Sequence, residues 1–491
     1  MQDRNLRNMR SMRDKRSKGI AIVLTTLTLA VTLPLVGLGF DVGTLYLVRS
    51  KLSGAADAAA LSGAQALSQG ANASAQRANA ITAAQNFFSG NFPTGYWRTS
   101  GASATVAVDD TSTQNYRTVT VSATAQAPLY FLRVFNQQMA TINVTSMAGR
   151  RDVMMMVVLD RSNSMNQIVA GTGQSACATM RTDAAAFIGY FAPGRDQIGL
   201  VVFSGSTYYY PPTTSFTTPD ANGNDVPSLI ASIACQGSTS TAEALYWAYN
   251  QIQAVNSSTR DNVIMLMTDG LPTGITAQFY NNRVANSSCG PSPLLGVFAG
   301  GTVGGNMFPG GSLGLSVDTE ATLGSPNDVA ISTNGNCHFA ANEGLVSKDI
   351  GSLPTQDNFN NSTQGYTSLS PAYGYQQANL NDVTDAQGAV YAAINVSDNM
   401  ATTIRSDTVL RPTIYTIGLS GDGAVDQYPD PLLLMKMAND PNLAGQAAPG
   451  PTFYQQQVNQ PHGAFANAPD ASQLAAAFDT IARQIAIRLA Q

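Results

Sequence analysis

Histidine is nearly missing from this chain, with only His338 and His462. That argues against a histidine-based zinc centre or a histidine-dependent nucleophile. Glutamate is almost as rare: 28 of the 31 acids are Asp, and the glutamates are Glu243, Glu320 and Glu343. Charged residues make up 12% of the 491, about half the usual share. Ser, Thr, Asn, Gln and Gly take their place, which predicts a loop-rich surface of low charge. Cysteine is limited to Cys177, Cys235, Cys289 and Cys337, and no C-x-x-C spacing occurs. A thiolate zinc site is therefore disfavoured. What the chain does have is 44% hydrophobic residues, enough for a sizeable core, and length for about three domains.

Charge is unevenly spread. Residues 1–18 hold Arg4, Arg7, Arg10, Arg13, Lys15, Arg16 and Lys18 against two acids, net +5. The whole chain is −5, so the remainder is −5 − 5 = −10. Residues 19–40, GIAIVLTTLTLAVTLPLVGLGF, are uncharged. At about 1.5 Å per residue this run spans a hydrocarbon core of about 30 Å. It is longer than a signal-peptide core and ends without an A-x-A site. The basic flank places residues 1–18 in the cytoplasm and everything after residue 40 on the exported side. This predicts a single-pass membrane protein whose bulk is exported. The basic cluster is then explained by anionic lipid, and nucleic acid is not an expected partner.

Export also bears on the cysteines, since an even number in an oxidising compartment favours disulfides. Four cysteines allow three connectivities. Cys177–Cys235 and Cys289–Cys337 are favoured, because the second pair lies within one long insertion. Buried free thiols are the alternative.

Residues 41–67 lack proline and continue as helix. Leu45, Val48, Leu52, Ala56, Ala59, Gly63 and Ala66 recur at steps of three and four, a narrow stripe of mostly small residues. Such a stripe packs either on its own domain or against a partner helix. A second helix is expected over about 72–88, followed by two-residue alternation at 103–110, 117–126 and 140–148. Residues 41–150 thus read as a helix-plus-sheet stalk module. The basic tail, the apolar span, Asp41, Leu45-Tyr46, Arg49, Leu52 and the run Ala55-Ala56-Asp57-Ala58-Ala59-Ala60-Leu61 resemble the N-terminal region of TadG-like proteins of the tight-adherence (Tad, Flp) pilus machinery. The resemblance implies a bacterial inner-membrane location, with the bulk periplasmic or exposed on the surface or a pilus, and other Tad pilus subunits or assembly proteins as partners. One departure concerns processing: Gly19 precedes the apolar run as in prepilins, but Leu24 stands where those carry Glu.

From residue 151 buried apolar strands alternate with helices: strands at 153–160, 196–204, 262–270 and 408–421, helices near 176–191, at 241–255 and at 471–489. That pattern predicts an α/β, doubly wound, mostly parallel sheet covered on both faces. Ligands in such sheets bind beyond the carboxyl ends of the strands. Three such places carry oxygen donors: Asp160-Arg161-Ser162-Asn163-Ser164, Gly237-Ser238-Thr239-Ser240-Thr241 and Thr268-Asp269-Gly270. Carboxylates and hydroxyls select Mg²⁺, Ca²⁺ or Mn²⁺, with Mg²⁺ the first expectation. Taken singly the pieces are ordinary turns, and Ser240-x-x-Glu243 is also a capping box. Together they resemble the metal-ion-dependent adhesion site of von Willebrand factor A domains. That resemblance implies Asp160, Ser162, Ser164, Thr239 and Asp269 as metal ligands, and a surface or protein ligand that offers a carboxylate. It covers about 151–272 and 382–491; Asn163 stands where many members have Gly. Between them, about 273–381 is a Gly-, Asn- and Ser-rich insertion holding Cys289 and Cys337, expected as a disulfide-stapled lobe on the metal-bearing rim, with a disordered excursion as the alternative.

The reading that unites both halves is a membrane-anchored, exported binding protein of pilus assembly, or a minor pilus subunit, and not an enzyme. A metal-dependent hydrolase lacks an evident general base; an envelope scaffold with a vestigial site is the other alternative.

Overall fold

The computed structural model describes residues 2–168, 173–205, 207–279, 294–300, 313–317, 321–322, 353–364, 386–420, 429–445 and 457–489. They form two compact units, the first made of residues 1–67, 77–110 and 118–149 and the second of 68–76, 111–117 and 150–491.

The first unit is built on α1, Gln2–Ala66, one helix that runs through Pro34. From Ile22 to Val36 its large apolar side chains are exposed. Polar hydroxyls within this stretch are turned inward: Thr25, Thr26, Thr28 and Thr32 each donate to the carbonyl four residues back, at 2.7–2.9 Å. Among the described residues this is the helix long and apolar enough to cross a membrane. From Val48 onward the same helix becomes core. Val48, Leu52, Ala55, Ala56, Ala59, Ala60 and Ala64 pack on α2 (Ala73–Asn91) through Ala80, Ala84 and Phe88, and on Val119, Val121, Ala123 and Ala125. Those last four belong to β2 (Tyr116–Pro128), central in a sheet with β1 (Ser100–Thr113) and β3 (Met139–Arg151). Alternate β2 residues are buried, the two-residue period expected of a strand with one face on a core. The small-residue stripe therefore packs within its own unit. Its closest approach is at Gly63, where a Cβ would lie 2.9 Å from Val119 and 3.2 Å from the Ala80 carbonyl.

The second unit is a seven-stranded sheet in the order β11-β6-β5-β4-β7-β12-β13. The centre is β4 (Val153–Asp160), flanked by β5 (Gln197–Phe203) and β7 (Asp261–Thr268), with β12 (Thr413–Leu419) and β13 (Phe465–Ala468) beyond, all parallel. Strand β6 (Thr207–Thr213) runs antiparallel to β5, and the two-residue edge strand β11 (Ala321–Thr322) pairs with its Tyr208 and Tyr209. Every residue of β4 is buried, as a strand covered on both faces requires. Val153, Met155, Val157 and Leu159 face α3 (Ala176–Ile188), α4 (Val226–Ala231) and α8 (Leu474–Leu489). Met154, Met156 and Val158 face α5 (Thr241–Val255), α6 (Ala386–Arg405) and α7 (Pro431–Ala438). Each fully buried aliphatic side chain contributes roughly 1.5–3 kcal/mol, so the two layers hold the strand ends firmly. At the opposite end of the sheet, Asp196 accepts from the Val153 and Ala192 N–H groups and pairs with Arg150 at 2.6 Å.

The insertion has regular structure that its composition does not announce. β8 (Gly274–Phe279), β9 (Leu294–Gly300) and β10 (Leu313–Val317) form an antiparallel sheet in the order β10-β9-β8. Further on, Leu353 enters the main core and Phe359 stacks on Tyr246 at 4.2 Å. Part of the insertion is thus woven into the domain. Cys289 and Cys337 lie outside the described residues.

Candidate functional site

The first motif leaves the carboxyl end of β4. Asp160 is fully buried there, and its Oδ1 accepts the Ser162 N–H at 2.7 Å. This bond bends the chain back so that both serine hydroxyls face the next strand end. Ser162 Oγ and Ser164 Oγ are 2.8 Å apart. Ser164 Oγ donates to Asp269 Oδ1 at 2.7 Å, and Ser162 Oγ reaches the same oxygen at 3.4 Å. Asp269 follows β7, the strand beside β4. Thr268 donates its hydroxyl to Asp160 Oδ2 at 2.6 Å and so ties the two strand ends together. Four of the five expected ligands are thus joined by hydrogen bonds.

Thr239 sits in the adjoining loop, nearly buried and placed by its backbone. Its carbonyl accepts from Thr273 N at 2.9 Å and Gly274 N at 3.0 Å, and its N–H donates to Thr273 Oγ1 at 3.1 Å. The same loop is fixed to the first motif: Asn163 N bonds Gly237 O and Gln236 N bonds Arg161 O. Gly237 has φ 93°, and a Cβ there would meet Ser204 Oγ at 2.9 Å, so a side chain would push the loop off β5. The disulfide Cys177–Cys235 closes the arrangement by stapling the first turn of α3 to the segment leading into this loop.

Ser240 is the N-cap of α5, yet its side chain makes no capping bond. The capping box read from Ser240-x-x-Glu243 is replaced by a buried chain. Ser240 Oγ lies 3.1 Å from Thr276 Oγ1, which donates to Glu243 Oε2 at 2.6 Å. Thr276 belongs to β8, so a strand of the insertion takes the hydroxyl that would otherwise have capped the helix. Thr268 stands among the oxygen donors that the sequence places at a strand end, though it is not one of the five expected ligands; Thr276, inside the insertion, carries no such signal.

Electrostatics mark the pair. Burial pushes the Asp269 carboxyl well up from its ordinary value, and the Asp160 charge pushes it further. Burial also raises Asp160, against the lowering pull of the Thr268 and Ser162 hydrogen bonds. The neighbouring guanidinium of Arg161 is directed elsewhere, lying 4.7 Å from the Tyr208 ring centre with Nη2 at 3.1 Å from its hydroxyl. Two buried carboxylates sharing hydroxyl donors call for a proton or a cation. Two negative charges and neutral hydroxyls fit a hard divalent ion, and among the described residues no group of three or more His, Cys, Asp or Glu offers a rival centre.

Comparison with known proteins gives two family matches. Residues 19–66 match the Flp pilus-assembly TadE/G-like family model, and residues 155–271 match the von Willebrand factor type A domain. No curated protein matches the chain. Among solved structures, the pilus adhesin SpaC from Lactobacillus rhamnosus GG is 13% identical, with 79% of this chain and 34% of that one covered and a TM-score of 0.35. This chain therefore spans about a third of that adhesin's length. The PilB minor pilin from Streptococcus sanguinis is 12% identical, with 79% of each chain covered and a TM-score of 0.36. The adhesive tip pilin GBS104 from Group B Streptococcus agalactiae is 14% identical, with 68% of this chain and all of that one covered and a TM-score of 0.32. The oxygen-donor motifs fall within the second matched region: residues 19–66 are similar to the TadE/G-like Flp pilus-assembly family, and residues 155–271 are similar to the von Willebrand factor type A domain.

Proposed function

We propose that the chain is a membrane-anchored, exported binding protein of Tad (Flp) pilus assembly, or a minor subunit of the pilus, whose second unit grips a partner through a divalent cation. The observation that carries this reading is the meeting of Asp160, Ser162, Ser164 and Asp269 at the carboxyl ends of two adjacent parallel strands. Asp160, Ser162, Ser164, Thr239 and Asp269 would hold the ion, directly or through water. Mg²⁺ suits them best, because it takes few carboxylates and retains several waters. When bound, the ion supplies a Lewis-acidic position that accepts a carboxylate from the ligand. The protein's own contribution is to hold the serine hydroxyls in place and keep the two carboxylates dry.

The role is binding rather than catalysis: Asp160 and Asp269 would both be taken up by the ion, which leaves no evident general base among the site residues. The anchor is α1, whose outward apolar face and inward-turned threonine hydroxyls suit lipid. The basic tail supports a cytoplasmic N-terminus in the inner membrane, with the second unit periplasmic or displayed on the pilus.

The test pairs calorimetric Mg²⁺ titration of wild type and Asp160→Ala with pilus counts and adhesion assays on cells carrying each. Loss of cation binding and adhesion with pili retained supports an adhesin, and loss of pili supports assembly. Wild-type adhesion and piliation in a variant that binds no cation refutes the metal-dependent reading and leaves a scaffold.

A further inference from the structure

Residues 129–135 of the first unit read Leu-Tyr-Phe-Leu-Arg-Val-Phe and close in a single 3-10 turn, Leu132–Phe135. Leu129 is buried, but Phe131, Val134 and Phe135 project outward, Val134 84% and Phe135 68% exposed. Scattered apolar side chains on a surface need no explanation. These three are not scattered, because the turn is fastened to α1 where its uncharged run ends.

The fastening is specific. Asp41 is buried, and its carboxylate accepts the Tyr130 N–H at 2.7 Å, the Phe131 N–H at 3.0 Å and the Leu132 N–H at 2.8 Å. The Phe40 ring meets those of Tyr130 and Phe131 edge-on, with centroids 5.5 and 5.9 Å apart. The Phe131 ring lies directly over Gly37, where a Cβ would collide with it. The loop is therefore level with residues 37–41 of α1, where the uncharged stretch ends. At this level α1 also presents Phe40 and Val42 outward, and Tyr46 and Leu47 follow within the next two turns. Exposed cations follow at Arg49 and Lys51 on the helix and at Arg133 on the loop. Aromatic rings at one level with basic groups beside them match the headgroup boundary of a bilayer.

We propose that the 130–135 loop is a second membrane contact. Phe131, Val134 and Phe135 dip into the boundary between headgroups and acyl chains beside α1, and Arg133 meets lipid phosphate. Asp41 is the positioning residue that holds the loop there. The proposal rests on α1 crossing the bilayer. It goes beyond a simple tether, because the first unit then stands on the lipid surface at two points.

The test uses the full chain reconstituted in phosphatidylethanolamine–phosphatidylglycerol vesicles, with tryptophan introduced as Phe135→Trp, Val134→Trp or, within the span, Leu29→Trp. The signal of the parent's own Trp97 and Trp247 is subtracted, and the vesicles carry nitroxide lipids labelled near the headgroup or deep in the chains. Leu29→Trp is expected to be quenched most by the deep label. Phe135→Trp and Val134→Trp are expected to emit further to the blue than Trp97 does and to be quenched most by the shallow label. Should the Leu29 probe respond while both loop probes stay unquenched and water-like, the loop contact is wrong and the anchor stands. An unquenched Leu29 probe overturns the anchor and this proposal with it.

Discussion

Removal of the Cys177–Cys235 bridge is the perturbation whose size the structure defines best. The bond closes a loop with a sequence separation of 58. In the chain-entropy account this restricts the unfolded chain by 2.1 + 1.5R ln 58 cal/mol/K, about 4 kcal/mol at 25 °C. Cys177→Ala/Cys235→Ala also shortens two side chains that belong to or pack on the core below α3, for roughly 1 kcal/mol more. At about 2 °C per kcal/mol for a domain of this size, the melting midpoint of the second unit should fall by about 8 °C or more. Near-ultraviolet circular dichroism during thermal unfolding reads this, and treating wild type with a reductant should reproduce most of it. The loop that follows Cys235 carries Gly237 and Thr239, so Mg²⁺ affinity should weaken in the same variant. A midpoint within a degree of wild type, with cation affinity unchanged, would refute the view that the bridge holds the rim of the site.

Three further outcomes are expected. In metal-free protein the raised carboxyls of Asp160 and Asp269 favour the protonated folded state, so stability should decline as pH rises from the ordinary carboxylate value through the raised one. Saturating Mg²⁺ at a hundredfold over its dissociation constant should add about 2.7 kcal/mol at pH 7, and Asp269→Asn should abolish that response and reduce the pH slope to the share of Asp160, read by calorimetric melts. Asp196 behaves oppositely: burial pushes it up, but Arg150 and two backbone N–H groups outweigh this and hold it below its ordinary value. Its stabilisation is complete above the ordinary carboxylate value and is lost as pH falls through the lowered one. Asp196→Ala should cost about 3–5 kcal/mol by leaving Arg150 without that partner, and should flatten the acid limb of a urea-midpoint profile. In the first unit, Gly63→Leu should destabilise by about 1–3 kcal/mol through collision with Val119 and the Ala80 carbonyl. Hydrogen exchange over residues 48–66 and 119–125 measures it, and unchanged protection would contradict the packing.

The strands that position the site were legible because burial on both faces writes itself as unbroken apolar runs. VMMMVVLD became β4 with the boundaries the run implies. Helix α6 was not foreseen, because Asn395, Ser397 and Asp398 are fully buried within it and interrupt its apolar pattern. Strand β6 carries Pro211 and Pro212, which mask its strand signal and lie beyond its pairing with β11 at Tyr208 and Tyr209. At the site, Asp160, the two serines and Asp269 could be read from oxygen donors at the ends of apolar runs. The use of the Ser240 hydroxyl could not, since it depends on Thr276, which comes near only after β8 folds back along α5.

The unbroken course of α1 has a mechanical consequence. The rod that leaves the apolar stretch at Phe40 is already core by Val48, with no pliable linker between. Sixty-five residues at about 1.5 Å each make a lever of roughly 98 Å. With α1 anchored in a bilayer as proposed, a sideways load on the first unit is delivered as torque to the surrounding lipid instead of being absorbed by a swivel. An axial pull would have to shear the alanine seam between α1 and α2 before the rod could slip free.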